Sequence, residues 1–418
     1  LSPTLLSLLS DQDLKQRFPD WLNERLDLLP KADPSLRAGA EHLAATIERH
    51  QRAWQSCDGD LIQRFAALQR LGVVDLLTCG ATHGYLPLLR HHPEAVRGQL
   101  RTAVREHQRL VGERPLGIWL PECAYYEGLD RWMRDAGLRY AVLDGHGLLH
   151  GRPRPRYGVY APICSRNGVA FFGRDSDATL PVWSAKDGYP GDPHYREFHR
   201  DLGWDLPIEE LKPLGLDQPR PLGLKLHRVT DHSAPLDRKR PYEPGVAAER
   251  VKEHAADYLQ GRRRQLDQLS AAMDVSPLLV APFDAELFGH WWFEGPAFLS
   301  QLFQQAPQEG VAFTRLRDVL NNVGQLQLCD PCPSSWGQGG YHDYWLNDSN
   351  AWIIPEWEKA SASMVQRCSR GVGSEQAMQW LQQAARELLL AQSSDWSFIL
   401  RAGTTTELAK ERVQRHLG

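Results

Sequence analysis

Two runs of the chain share one construction. Leu116 to Gly128, LGIWLPECAYYEG, begins as an apolar, β-branched and aromatic strand, passes through Pro121 and delivers the carboxylate of Glu122 where a strand must stop. Ser276 to Gly289, SPLLVAPFDAELFG, repeats the pattern: an apolar strand ends in Pro282 and then offers Asp284. Apolar runs of this kind suit strands buried on both faces, as in a parallel sheet covered by helices. Each would present one acid at its C-terminal end.

The segments between these runs extend the pattern. Val73–Cys79 is a short apolar strand that runs into Gly80-Ala81-Thr82-His83-Gly84-Tyr85. A helix near Gly128–Ala136 is followed by a strand at Tyr140–Leu143 ending in Asp144-Gly145-His146-Gly147. Strand then helix, repeated, argues for a parallel α/β arrangement. His83, Glu122, Asp144 with His146, and Asp284 all fall just past a strand's C-terminal end, which is the active-site face of a β/α barrel.

The remainder reads as support. Residues 4–110 are mostly helical in pattern, with Leu14, Phe18, Leu22 and Leu26 at helical spacing. From about Gly151 to Pro244 the periodicity weakens into Pro, Gly, Asp and aromatic residues, apart from a strand at Leu222–Leu226; long irregular stretches are commonly functional. A long helix from Pro244 to about Met273 precedes the Asp284 strand. The glycine-rich run Pro333–Tyr341, followed by Trp345-Leu346-Asn347, reads as a loop with its two tryptophan rings exposed, and the last hundred residues return to helical spacing.

Composition narrows the partners. A net charge of −4 with dispersed Lys and Arg lacks the footprint of a nucleic-acid binder. No run of 18 apolar residues suggests a membrane span. Seven cysteines, an odd number, do not read as a disulfide framework, so a reducing cytoplasm is expected; Cys329 and Cys332 form a CxxC without a second pair at zinc spacing. The 14 tryptophans, many beside Gly, Asp, His or Asn, suit the flat faces of sugar rings as well as a core.

Paired carboxylates on neighbouring strand ends are what glycosidic bond cleavage requires: one acid attacks or steadies an oxocarbenium-like centre while the other protonates the leaving oxygen. A retaining enzyme holds the two ~5–5.5 Å apart, a spacing that strands ~4.8 Å apart can provide. Pro282, Phe283, Leu287, Phe288, Trp291 and Trp292 surround Asp284 in sequence, an apolar setting that favours a proton donor and leaves Glu122 as nucleophile. Each acid can also be read as half of a structural Arg pair. His83 and His146 can donate to sugar hydroxyls, can bind a metal with Asp284, or can be structural. Glu286 is expected to bond to its own loop, and Tyr189, Trp183 and Trp204 are readable as platforms or as loop anchors.

Four motifs, WLPECAYYEG, PFDAELFGHWWFEG, SSWGQGGYHDYWLN and RELLLAQSSDW, together resemble glycoside hydrolase family 57, and within it the 1,4-α-glucan branching enzymes. The resemblance implies a distorted, TIM-like (β/α)7 barrel with a helical insertion and a C-terminal all-α domain. Residues 1–325 would form the barrel domain, with a helical insertion at about 5–70 and a long loop region at about 151–244; residues 326–418 would form the helical domain. It implies Glu122 as nucleophile and Asp284 as general acid/base, with His83, Trp204, Trp291, Trp336, Trp345 and Asp395 among the substrate-binding residues. No metal and no cofactor are expected; the partner is an α-glucan such as amylose, amylopectin or glycogen, with no nucleic acid and no membrane, and the chain is expected to act as a monomer. The family opens on a barrel strand with a His-x-His-x-Pro type motif, and this sequence is expected to start after it. An amylase-type hydrolase, a metal-dependent deacetylase-like hydrolase and a non-catalytic glycan binder are the competing readings.

Overall fold

The structure is a computed structural model describing residues 1–184, 186–371 and 373–418. The chain folds into two compact units. One comprises residues 1–10, 62–175 and 315–418, and the other residues 11–61 and 176–314.

The first unit is built on a five-stranded sheet. Its strands are β1 (Gly117–Ile118), β2 (Tyr140–Leu143), β3 (Ile163–Cys164), β4 (Ala170–Gly173) and β5 (Gln327–Leu328), in the spatial order β1-β2-β4-β3-β5. β1 pairs parallel with β2, setting Gly117 beside Tyr140, and β2 pairs parallel with β4 over Tyr140–Leu143. β3 runs antiparallel to β4 and parallel to β5. A parallel bridge from Thr78 to Ile118 carries the Val73–Cys79 segment to the free side of β1. All of β2 and β4 is buried, which explains their unbroken apolar sequence.

Helices cover this sheet. Pro93–Val111 starts with proline in its first turn and ends at Gly112, whose φ of 92° lies in the left-handed region. Ile353–Ser369, Ser394–Ala402 and Thr406–Leu417 bury Ile353, Trp357, Leu400 and Val413 in the same core as Ile118, Leu120, Leu143 and Phe171. The C-terminal helices are therefore continuous with the sheet's core, whereas the sequence suggested a separate domain from residue 326.

In the second unit, helices Gln12–Leu28 and Arg37–Gln55 pack Leu22, Leu43 and Ile47 against Leu202, Leu206 and Leu222–Leu226 residues. The 29-residue helix Pro244–Ala272 packs beside Gly295–Gln305, and Val251, Leu259, Trp292 and Phe298 share a second core. The expected strands at Leu222–Leu226 and Ser276–Pro282 run without a strand ladder. They are held by scattered bonds instead, such as Leu202 N–H to the Leu224 carbonyl at 2.7 Å. The region from 151 to 244, read as irregular apart from a strand at Leu222–Leu226, divides: β3 and β4 belong to the sheet unit, and residues from 176 onward belong to the second.

Candidate functional site

The sequence around β1 makes a strained turn at the expected place. β1 ends, Leu120 continues extended, and Pro121–Cys123 closes a short 3-10 turn in which Glu122 has φ 57° and ψ 26°. Cys123 (φ 54°) and His83 (φ 58°) also sit in the left-handed region. For residues with a Cβ this costs about 1–3 kcal/mol each, and such conformations cluster at functional sites where surrounding bonds enforce them.

Those bonds are present. Cys123 N–H donates to the Leu120 carbonyl at 2.8 Å, and Tyr125 and Ser334 exchange backbone bonds at 2.8 and 3.2 Å. Trp336 N–H donates to the Glu122 carbonyl at 3.2 Å. The glycine-rich loop is thus sewn to the turn that carries the acid.

The Glu122 carboxylate is largely buried, its side chain 16 % exposed. The indole N–H of Trp336 donates to Oε2 at 2.9 Å, and the Ser394 hydroxyl donates to Oε1 at 3.4 Å. His83 Nδ1 lies 2.7 Å from Ser394 Oγ and 3.9 Å from Oε1 of Glu122. Burial disfavours charge on His83, but the Cys79 sulfur bonded to its ring, with the carboxylates of Glu122 and Asp395, outweighs that cost and pushes its pKa up to about 9. Trp336 packs edge-on to Trp119, ring centroids 4.8 Å apart, with the Arg174 guanidinium 5.9 Å from its ring centre.

The other expected residues divide. Asp395 stands in the first turn of Ser394–Ala402, exposed, and accepts from the Ser393 hydroxyl at 3.0 Å. Trp345 presents no open ring: it is 2 % exposed and stacks on Tyr85 at 4.5 Å, because the Gly337–Tyr341 turn folds back over it. That corrects the reading of this loop as exposing both its tryptophans. His146 is structurally engaged at both nitrogens, with Asp144 at 3.0 Å from Nδ1 and the Gly340 carbonyl at 2.9 Å from Nε2.

In the second unit, Asp284 follows the extended segment and opens the Ala285–Leu287 turn, with Leu287 N–H bonded to its carbonyl at 3.1 Å. Its side chain is exposed, whereas the sequence suggested an apolar enclosure. Of its aromatic neighbours, Trp292 turns inward and is buried with Phe298, 4.9 Å between ring centroids, in the helical core. Asp284 lines a pocket of about 560 Å³ with Trp183, Arg196, Phe198, Leu287 and Trp291. Trp291 is 52 % exposed and stacks on Phe198 at 4.4 Å, with the Lys225 ammonium 3.5 Å from the centre of the Phe198 ring.

Glu286 accepts from the Trp291 indole at 3.1 Å, the local role expected of it. Trp204 is exposed on a turn pinned by Asp201 and is not part of the pocket lining. Tyr189 is an anchor, donating to Asp257 at 2.6 Å. Ser394, Trp119, Cys79 and Arg174 were not singled out from sequence. Ser394 stands in the SSDW motif beside Asp395, the one residue of that motif to which the resemblance assigns a role. Among the described residues, no group of three or more His, Cys, Asp or Glu could hold a metal ion, and no helix is long and apolar enough to cross a membrane.

Comparison with known proteins bears on this arrangement. The family model described as glycosyl hydrolase family 57 matches residues 15–330, and the model described as the C-terminal region of 1,4-alpha-glucan branching enzyme matches residues 356–418. The chain belongs to glycosyl hydrolase family 57. A 1,4-alpha-glucan branching enzyme of Thermococcus kodakarensis is 31% identical over 100% of this family 57 chain and 64% of its own length. The chain thus spans just under two thirds of that curated relative. The crystal structure of the alpha-amylase AmyC from Thermotoga maritima is 35% identical, with a TM-score of 0.92 over 100% of this chain and 81% of that one. A family 57 branching enzyme from Pyrococcus horikoshii is 32% identical, with a TM-score of 0.90 over 99% and 77%. The fold class is accordingly that of family 57, the α/β (β/α)7 barrel with a helical C-terminal region.

Proposed function

We propose that this chain carries the activity of a 1,4-α-glucan branching enzyme working by retaining transglycosylation. Glu122 attacks the anomeric carbon of an α-1,4-linked glucan while Asp284 gives its proton to the departing chain, leaving a covalent glycosyl-enzyme. Asp284 then takes the proton of an acceptor glucan's 6-hydroxyl, whose oxygen displaces Glu122 and forms an α-1,6 branch. His83, Trp336 and Asp395 lie around Glu122; Trp291 and Trp204 offer exposed rings for the glucan.

The observation that carries this reading is the Glu122 carboxylate itself, poised at the end of β1 with a side-chain donor on each oxygen. The match of residues 356–418 to the branching-enzyme C-terminal model favours branching over hydrolysis. Seven cysteines without a disulfide support a reducing cytoplasm, where the substrate would be glycogen or a starch-like glucan and the product part of glycogen biosynthesis.

Amylose incubated with the protein should gain α-1,6 linkages, seen by proton NMR, with few new reducing ends. Glu122→Gln should lower kcat by about a thousandfold or more. Normal activity in that variant would remove Glu122 from the chemistry. A second reading, an α-1,4-glucan hydrolase, is favoured by the likeness to AmyC and predicts the opposite product balance, reducing ends without branches.

A further inference from the structure

Ser394 is wholly buried. Its backbone N–H donates to the His83 carbonyl at 3.0 Å, and Gly84 pairs with Ser393 in an antiparallel bridge. Gln99 reinforces the junction, donating to Thr82 Oγ1 at 2.9 Å and to Gln392 Oε1 at 3.4 Å. The Ser394 hydroxyl therefore has little freedom. It lies 2.7 Å from His83 Nδ1 and 3.4 Å from Oε1 of Glu122, so it can accept from the ring and donate to the carboxylate at once.

We propose that Ser394 is a positioning residue for the nucleophile, relaying the hydrogen bond of His83 to Glu122 and supporting the carboxylate as it leaves in the second half of the reaction. The inference rests on Glu122 being the nucleophile. In that second step the bond between the anomeric carbon and the Glu122 oxygen breaks and its electron pair returns to the carboxylate. The acceptor oxygen bonds to the carbon, and its proton passes to Asp284. Negative charge thus develops on Glu122, and a hydroxyl aimed at it lowers the barrier. Trp336 holds the other oxygen, so each of the two has one donor and the carboxylate plane is fixed. His83 keeps the chain of bonds oriented; the charged groups around its ring are Glu122 and Asp395, with the Cys79 sulfur beside them.

The test is Ser394→Ala in the full 418-residue chain, with an α-maltooligosyl fluoride as activated donor and glucan as acceptor. A hydrogen bond to a charged group implies a loss in kcat of about 10- to 100-fold. KM for the donor should fall with kcat, since kcat/KM reports the first step alone, and intact-mass measurement should show more glycosyl-enzyme at steady state than in the unaltered protein. Ser394→Thr keeps the hydroxyl and should recover most of the rate. Ser394→Gly, lacking it, should behave as Ser394→Ala and serves if the alanine variant does not fold. An unchanged kcat, or a loss with no accumulation of adduct and no rescue by threonine, overturns the proposal. Glu122→Ala with added azide separates the two readings: formation of a glycosyl azide keeps Glu122 as nucleophile whatever Ser394 does, and its absence removes the reading on which the inference stands.

Discussion

Trp336 and Glu122 lie 214 residues apart in sequence, yet the indole of the first donates to a carboxylate oxygen of the second at 2.9 Å. The same tryptophan's backbone N–H bonds the acid's own carbonyl at 3.2 Å. Side chain and main chain of one residue thus hold the corresponding groups of the other.

Trp336→Phe removes the indole donor and keeps an aromatic ring against Trp119. Loss of one hydrogen bond to a charged group predicts a fall in kcat of about 10- to 100-fold with a small change in melting temperature. Initial rates on amylose and a thermal melt check this. A variant with full kcat would mean that the bond plays no part in the rate.

His83 supplies a pH signature. Its folded pKa, about 9, stands above the ordinary value of ~6.5, so folding favours the charged ring. The associated stabilisation is complete below about pH 6.5 and fades as pH rises through about 9. The denaturation free energy of the protein minus that of His83→Gln should therefore shrink between those two values. A difference that is flat or grows over that window would contradict the assignment, as would an NMR titration of His83 below pH 6.5.

Gly117 is required by close approach. A Cβ built there would lie 2.3 Å from Tyr140 Cε2 and 2.5 Å from Leu77 Cδ2. Gly117→Ala should cost about 1–3 kcal/mol through overpacking, measured by urea denaturation, and should also reduce activity because β1 leads directly to Glu122. Wild-type stability in this variant would show that the sheet can shift to accept a methyl group.

Two tryptophans should respond oppositely to truncation. Trp345→Ala empties a buried site stacked on Tyr85 and should cost about 3–5 kcal/mol. Trp291→Ala removes a half-open ring from the Asp284 pocket; it should cost little stability and raise KM for amylose about two- to tenfold. Denaturation curves and steady-state kinetics on both variants decide the matter. Equal losses of stability would erase the distinction between packing ring and binding ring.

What could be read in advance followed from local chemistry. Tyr140–Leu143 was legible to the residue because a wholly buried parallel strand has no polar alternation to blur its ends. The helix Pro244–Ala272 announced itself with proline in its first turn and a sustained amphipathic repeat. The β3–β4 pair was missed although Asn167-Gly168 separates two apolar runs and Gly168 adopts φ 76°, a hairpin signal submerged in a stretch rich in Pro and Gly. Leu222–Leu226 reads as a strand because its leucines alternate into the core, and Ser276–Pro282 because its run is apolar, but a ladder needs a partner in register, which local sequence does not encode. Glu122 and Asp284 were marked by the acid after proline. Ser394 was invisible for the reverse reason: a lone hydroxyl carries no pattern until His83 is folded against it.

The sewing of the Pro121–Cys123 turn to the loop at Trp336 and the segment at Ser394 has a consequence for how the polypeptide can be divided. A fragment ending at residue 330 would keep everything the family 57 model recognises, residues 15–330, and would still encode Glu122 and Asp284. It would lose both donors to the Glu122 carboxylate, the lid of main chain that enforces its left-handed turn, and the helices completing the core behind β1. The boundary between the two matched regions is therefore one of sequence family only; in folding, the C-terminal region is where the Glu122 carboxylate acquires its shape.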